Sequence, residues 1–181
     1  VKGAFLIAGY GAALTAHLAA VWLNKPALLL PLAVVAALLA LLTAGYTAFL
    51  FAQAKARDLW QSALLPPHMA VQALLAGAAA TLPLAARYDP SALSPLQWTL
   101  FAFLLLHLLF IAGEVALPHA TAHARLAAWE MTTGRYRKYF QLGGMFSIAA
   151  GLTPWLAVGG IPLIAAAAVA ALIGLLAYEH A

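Results

Sequence analysis

The sequence predicts an all-α fold, a polytopic transmembrane helix bundle of about six spans, and three observations predict it. Of the 181 residues 66% are hydrophobic and 8% are charged, whereas soluble domains carry about 25% charged residues. The apolar runs are about 20 residues long, the length that a helix needs to cross the hydrocarbon core. Unbroken runs such as 28–51 lack the alternation of a barrel strand. A bilayer interior offers no water to backbone groups, so helices remain as the spanning structure.

In chain order the expected spans are 3–23, 27–53, 67–86, 95–117, 138–158 and 161–178. Asn24, Lys25 and Pro26 break the first pair. Arg57 to Pro67 form a polar loop between the second and third spans. Arg87, Tyr88, Asp89 and Pro90 end the third, and Gly159, Gly160 and Pro162 make a short last turn. Pro31, Pro83 and Pro154 are expected to kink helices, which partners in a bundle tolerate. Gly9, Gly11, Gly77, Gly143, Gly144 and Gly151 let helices approach closely. The whole chain, 1–181, reads as one transmembrane domain. It starts at Val1 without Met and stops just after an apolar run, so it reads as a piece of a longer subunit.

Charge is uneven across the bilayer. The side that holds both termini carries Lys2, Lys55, Arg57, Arg125, Arg135, Arg137 and Lys138, against Lys25 and Arg87 on the other. The positive-inside rule places the richer side in the cytoplasm, although a cationic loop also suits docking of an acidic partner. The net charge of +4 rests on few groups and suggests no nucleic-acid partner. The absence of Cys excludes disulfides, thiolate zinc and cysteine-bound iron–sulfur clusters in this chain.

Glu114 is the one acid inside an expected span. An ionised carboxylate in lipid costs about 2.5–3.5 kcal/mol or more, so Glu114 should face the bundle interior or be protonated. His107 precedes it by seven residues and shares its helix face. A proton path from His107 through Glu114 to His119 is one reading. The bland reading pairs Glu114 with Arg125 or a lipid headgroup at the interface. His119 and His123 share a face if the fourth helix continues past Pro118, but a metal site there lacks a third ligand. His17, His68 and His107 raise haem ligation, without the repeated spacing of a two-haem bundle. Tyr46 and Thr47 bring polar tips to a depth where a quinone head can sit, and interfacial Tyr residues without a ligand are also common. The loop 119–138, with Trp129, Glu130, Arg135 and Tyr136, has the residue types of a membrane interface or a docking surface. No phosphate loop, nucleophile elbow or paired carboxylates support a hydrolase or transferase.

The run Ala44-Gly45-Tyr46-Thr47-Ala48-Phe49-Leu50-Phe51, the stretch Arg57-Asp58-Leu59-Trp60-Gln61-Ser62, Leu64-Leu65-Pro66-Pro67 and Ala76-Gly77-Ala78-Ala79 resemble the NrfD/PsrC family. The stretch from His119 through Gly134-Arg135-Tyr136 to Phe140 is similar to that family's late loop and next helix. The resemblance implies the later part of an integral membrane quinone-binding subunit, missing its first spans. It implies quinone contact by Tyr46, with Thr47 beside it, and a partner interface at Arg57, Asp58 and Trp60. It implies menaquinone or ubiquinone as cofactor, with no haem or iron–sulfur cluster in the chain itself. The implied partners are a ferredoxin-like iron–sulfur subunit and, through it, a molybdopterin catalytic subunit of a respiratory oxidoreductase complex. The implied location is a bacterial or archaeal cell membrane. Family complexes dock the partner on the periplasmic face, whereas the charge bias points the same face to the cytoplasm, so orientation stays open. A haem b-type quinol-oxidising anchor and a non-redox ion-translocating or structural subunit remain the alternatives.

Overall fold

A computed structural model describes residues 2–54, 58–155 and 160–181. Among them are seven α-helices and no strand. They are α1 (Lys2–Trp22), α2 (Pro26–Phe51), α3 (Leu65–Tyr88), α4 (Leu93–Ala116), α5 (Ala122–Thr132), α6 (Arg137–Gly151) and α7 (Gly160–His180). Helices α1, α2, α3, α4 and α7 are long and apolar enough to cross a membrane. The chain is a multi-pass membrane protein, and the expected helix bundle is what forms.

Turn chemistry places the breaks. Asn24 adopts φ 52°, the left-handed conformation that ends helices, and Lys25 N–H reaches back to the Ala20 carbonyl at 2.8 Å. Pro26 then opens α2, where its missing N–H costs nothing. Gly160 opens α7 at φ 71°, a conformation that favours glycine.

Two expectations need correction. The expected span 138–158 is a 15-residue helix, α6, about 22 Å long against a hydrocarbon core of about 30 Å. Pro154 does not kink it but lies in the 3-10 turn Thr153–Trp155 that follows. That end is sealed by side chains: the Thr153 hydroxyl donates to the Ala150 carbonyl, and buried Gln97 donates to the Thr153 carbonyl at 3.1 Å. Residues 156–159 lie outside the described residues. Helix α4 ends at Ala116, in line with the expected span 95–117, so the condition for His119 and His123 to share its face is not met. Leu117 is already extended, at ψ 148°, as the residue before a proline prefers. The stretch expected as one loop, 119–138, contains α5, capped by Thr121, whose hydroxyl accepts from Ala124 N–H at 3.1 Å.

The buried core joins α3, α4, α6 and α7 through Leu75, Leu82, Leu100, Leu104, Ala150, Ile164 and Ala171. Helices α1 and α2 pack as a pair beside it, and α2 buries only Ala36 and Ala48. Successive spans alternate in direction. The start of α3, the ends of α4 and α7, and all of α5 therefore meet at one end of the bundle.

Helices α6 and α7 approach each other backbone to backbone. A Cβ on Gly174 would stand 2.9 Å from the Ser147 backbone nitrogen, and one on Gly143 would stand 3.0 Å from the Tyr178 nitrogen. Small residues are thus required for this backbone contact. Gly174→Ala should cost about 1–3 kcal/mol through overpacking, read by thermal unfolding in detergent. Gly144, with open space around it, is the control, and Gly144→Ala should stay near wild type. Equal stability of both variants would mean that the two helices are not in backbone contact.

Candidate functional site

Helix alternation brings His68 on α3, Glu114 and His107 on α4, and Tyr178 on α7 together toward one end of the bundle. Their side chains form one hydrogen-bonded chain. His107 Nδ1 lies 2.8 Å from His68 Nε2, and His68 Nδ1 lies 2.8 Å from Glu114 Oε1. The Tyr178 hydroxyl donates to Glu114 Oε2. His68 and His107 are 1% and 0% exposed, so both rings are buried.

Ring packing holds the orientations. Phe110 stacks on His68 at 5.2 Å between centroids, and Tyr178 meets His107 edge-on at 5.0 Å. A second polar tie lies at the same end: Gln72 on α3 donates to Glu179 Oε1 at 2.6 Å. Glu114 thus faces the bundle and pairs with His68 and Tyr178, so the Arg125 pairing is not what forms. The seven-residue offset on α4 separates His107 from Glu114 by about 10 Å, and His68 fills the gap. The Nε2 of His68 is engaged by His107, so these two histidines are not arranged as a pair of axial haem ligands. Among the described residues no group of three His, Asp or Glu is placed to hold a metal ion.

The chain opens on a cavity of about 720 Å³. Its apolar wall includes Phe51, Leu65, Met69 and Leu126, and Trp60 also lines it, packed against Phe51 at 4.9 Å between ring centroids. Asp58, Glu114, Glu130 and Glu179 all line it, four of the five acids in the sequence. Asp58 is held by the Thr121 hydroxyl at 2.6 Å, which ties the 3-10 turn Asp58–Gln61 to the start of α5. The carboxylate of Glu130 accepts from Arg135 N–H at 2.9 Å and shapes the turn into α6.

The residues expected from sequence fall in three places. Asp58, Trp60 and Glu114 line the cavity, and His107 joins it through His68. His119 lies between α4 and α5, with a buried Nε2 that has no partner among the described residues, and it is not part of the chain. Tyr46 and Thr47 are elsewhere on α2. The ring of Tyr46 covers Gly3, and Thr47 donates its hydroxyl to the Thr43 carbonyl at 2.9 Å. Arg57 lies outside the described residues. Sequence reasoning missed His68 as the hub, with Gln72, Tyr178 and Glu179. The signal was helix alternation, which puts the start of the third span beside the ends of the fourth and the last.

The family model described as Polysulphide reductase, NrfD, matches residues 5–180. The chain belongs to the NrfD family. It is a membrane subunit of the kind found in polysulphide and quinone oxidoreductase complexes. No curated protein and no solved structure matches it.

The Tyr178 hydroxyl ties α7 to α4 at the centre of this site. Tyr178→Phe removes one hydrogen bond to a carboxyl group and should cost about 1.5–3 kcal/mol. Thermal unfolding in detergent checks this. A stability equal to wild type would mean that the Glu114 carboxyl is satisfied without Tyr178.

Proposed function

We propose that this chain is the membrane anchor subunit of a respiratory oxidoreductase complex. It exchanges electrons and protons between a membrane quinone and an iron–sulfur partner, which passes electrons to or from a molybdopterin subunit. The observation that carries the reading is the NrfD match across residues 5–180. The bundle geometry supports it: the aromatic turn at Trp60, helix α5 and the titratable chain converge on one end, which suits a partner that must come close to a proton-coupled reaction. A location in a bacterial or archaeal cell membrane follows from the same reading.

A bound quinone supplies the two-electron, two-proton chemistry. The protein supplies a donor to a quinone carbonyl and an apolar wall. Tyr46 fits the donor role, because its hydroxyl makes no hydrogen bond to any described residue. Thr47 fits less well, since its one O–H is directed to Thr43; in this reading it flanks Tyr46 and accepts rather than donates.

Asp58 and Trp60, with Arg57 next to them in sequence, are the proposed partner interface. Aromatic anchors at the centre of an interface carry much of its energy. Trp60→Ala should weaken retention of the iron–sulfur subunit by about 2 kcal/mol or more, read by co-purification under graded salt and detergent. Undiminished retention would reduce this turn to an interfacial belt.

Tyr46→Phe should keep the fold and weaken quinone turnover by about 0.5–1.5 kcal/mol, the worth of one hydrogen bond. Quinol kinetics and inhibitor binding check it, and values equal to wild type would remove Tyr46 from the site. A reduced-minus-oxidised spectrum with a haem band would replace the whole reading by the haem b anchor.

A further inference from the structure

Two features of the buried chain are unexplained by quinone contact at Tyr46. One is its length: three titratable groups on two helices are linked without a break, by two 2.8 Å contacts. The other is its inner end. His107 Nε2 is fully buried and has no partner among the described residues. A buried ring nitrogen without a partner is uncommon, because leaving it unsatisfied costs free energy. Both nitrogens of His68 and both oxygens of Glu114 have partners, so within the chain the unfilled hydrogen-bonding position sits at His107 Nε2.

Hydrogen-bond roles follow from that arrangement. With Glu114 ionised, its two oxygens accept from Tyr178 O–H and from His68 Nδ1–H. A neutral His68 then has a bare Nε2, which accepts from His107 Nδ1–H. A neutral His107 is left with a bare Nε2, the atom found unpartnered. Each imidazole thus donates from Nδ1 and offers Nε2 as an acceptor, and Glu114 accepts from both sides.

We propose that His107, His68 and Glu114 form a proton relay between the bundle interior, at His107 Nε2, and the carboxylate-lined cavity that Trp60 also lines. This rests on the redox reading for its purpose and on the side-chain chain alone for its existence. A proton given up by a hydronium ion, whose O–H bond breaks, forms the His107 Nε2–H bond while the Nδ1–H bond breaks. The released proton bonds to His68 Nε2, and the His68 Nδ1–H proton bonds to Glu114 Oε1. Three N–H or O–H bonds form and the same number break, counting the donor's. Both imidazoles end neutral in the opposite tautomer, and Glu114 ends as the neutral acid. The reverse sequence carries a proton from the cavity inward. A second proton in the same direction requires the tautomers to reset, so the relay passes one proton per cycle. His119 has no place in it.

The groups that face the relay are Tyr178 on α7, which holds Glu114 directly, and Glu179, engaged by Gln72. Asp58, Glu130, His123 and His180 line the cavity outside it. They set the proton supply in the cavity and belong in any analysis of its pH profile.

The test is 15N NMR of histidine side chains in the full-length subunit in lipid bilayers, followed over pH. Expected is a through-hydrogen-bond coupling between His68 Nε2 and His107 Nδ1, and a joint change of both rings from the Nδ1–H to the Nε2–H tautomer. In Glu114→Gln the amide oxygen still accepts from His68 Nδ1–H but takes no proton, so both rings should stay Nδ1–H across the range. Rings that titrate independently in the wild type, or that switch in Glu114→Gln, would overturn the relay. This readout needs no quinone and no partner. In the intact complex, dye-reported proton uptake during single-turnover quinone reduction should slow at least about tenfold in Glu114→Gln, with thermal stability close to wild type. Normal uptake with a large loss of stability would make Glu114 a structural group. Absence of quinone-linked electron transfer in the wild-type complex would count against the redox reading, and the NMR result would stand apart from it.

Discussion

A carboxyl group inside an apolar bundle has to find donors, and Glu114 finds them on two other helices. Its oxygens take His68 from α3 and Tyr178 from α7. Without them, the group would be left unsatisfied in a medium where desolvation penalties run to several kcal/mol. Satisfying it fixes which faces of three helices meet, and at what height. The cavity, the Trp60 turn and α5 are arranged around that level.

Packing and polar chemistry reinforce each other here. Gly143 approaches the backbone at Tyr178, so the α6–α7 contact sets where the phenol points. Lipid gives no hydrophobic drive between helices, so close backbone approach and interhelical hydrogen bonds carry association. The short α6 fits this role. It is held by contact with α7 and by the Gln97–Thr153 seal, not by its own length. Beside these polar groups, Leu75, Leu82, Leu100 and Leu104 form a buried apolar core, and a separate polar pair, Gln97 and Thr153, lies towards its other end.

The membrane bundle was legible from composition and run length, because the bilayer leaves helices as the local solution for such runs. Breaks were legible at Asn24, Pro26 and Pro90, where turn chemistry is local. Helix α5 and the early stop of α6 were not, since apolar runs show where a helix is affordable in lipid and not where side chains such as Thr121 and Thr153 cap one. At the site, Glu114 was legible as an inward acid and His107 as its neighbour on the same face. Their link was not. It comes from His68, some 40 residues earlier in the chain, and contacts across helices leave no spacing signature. Tyr46 shows the opposite case: a residue marked by family resemblance whose described surroundings are the start of α1, not the cavity.

The His68–Glu114 contact organises this end of the bundle, and a double-mutant cycle reads its strength. His68→Ala, Glu114→Ala and the double variant are unfolded in the same lipid or detergent as the wild type. A coupling energy of about 1 kcal/mol or more is expected, within the range of residues that share a hydrogen-bonded network. Effects that add to within about 0.5 kcal/mol would contradict it, and would make the two groups neighbours that do not depend on each other.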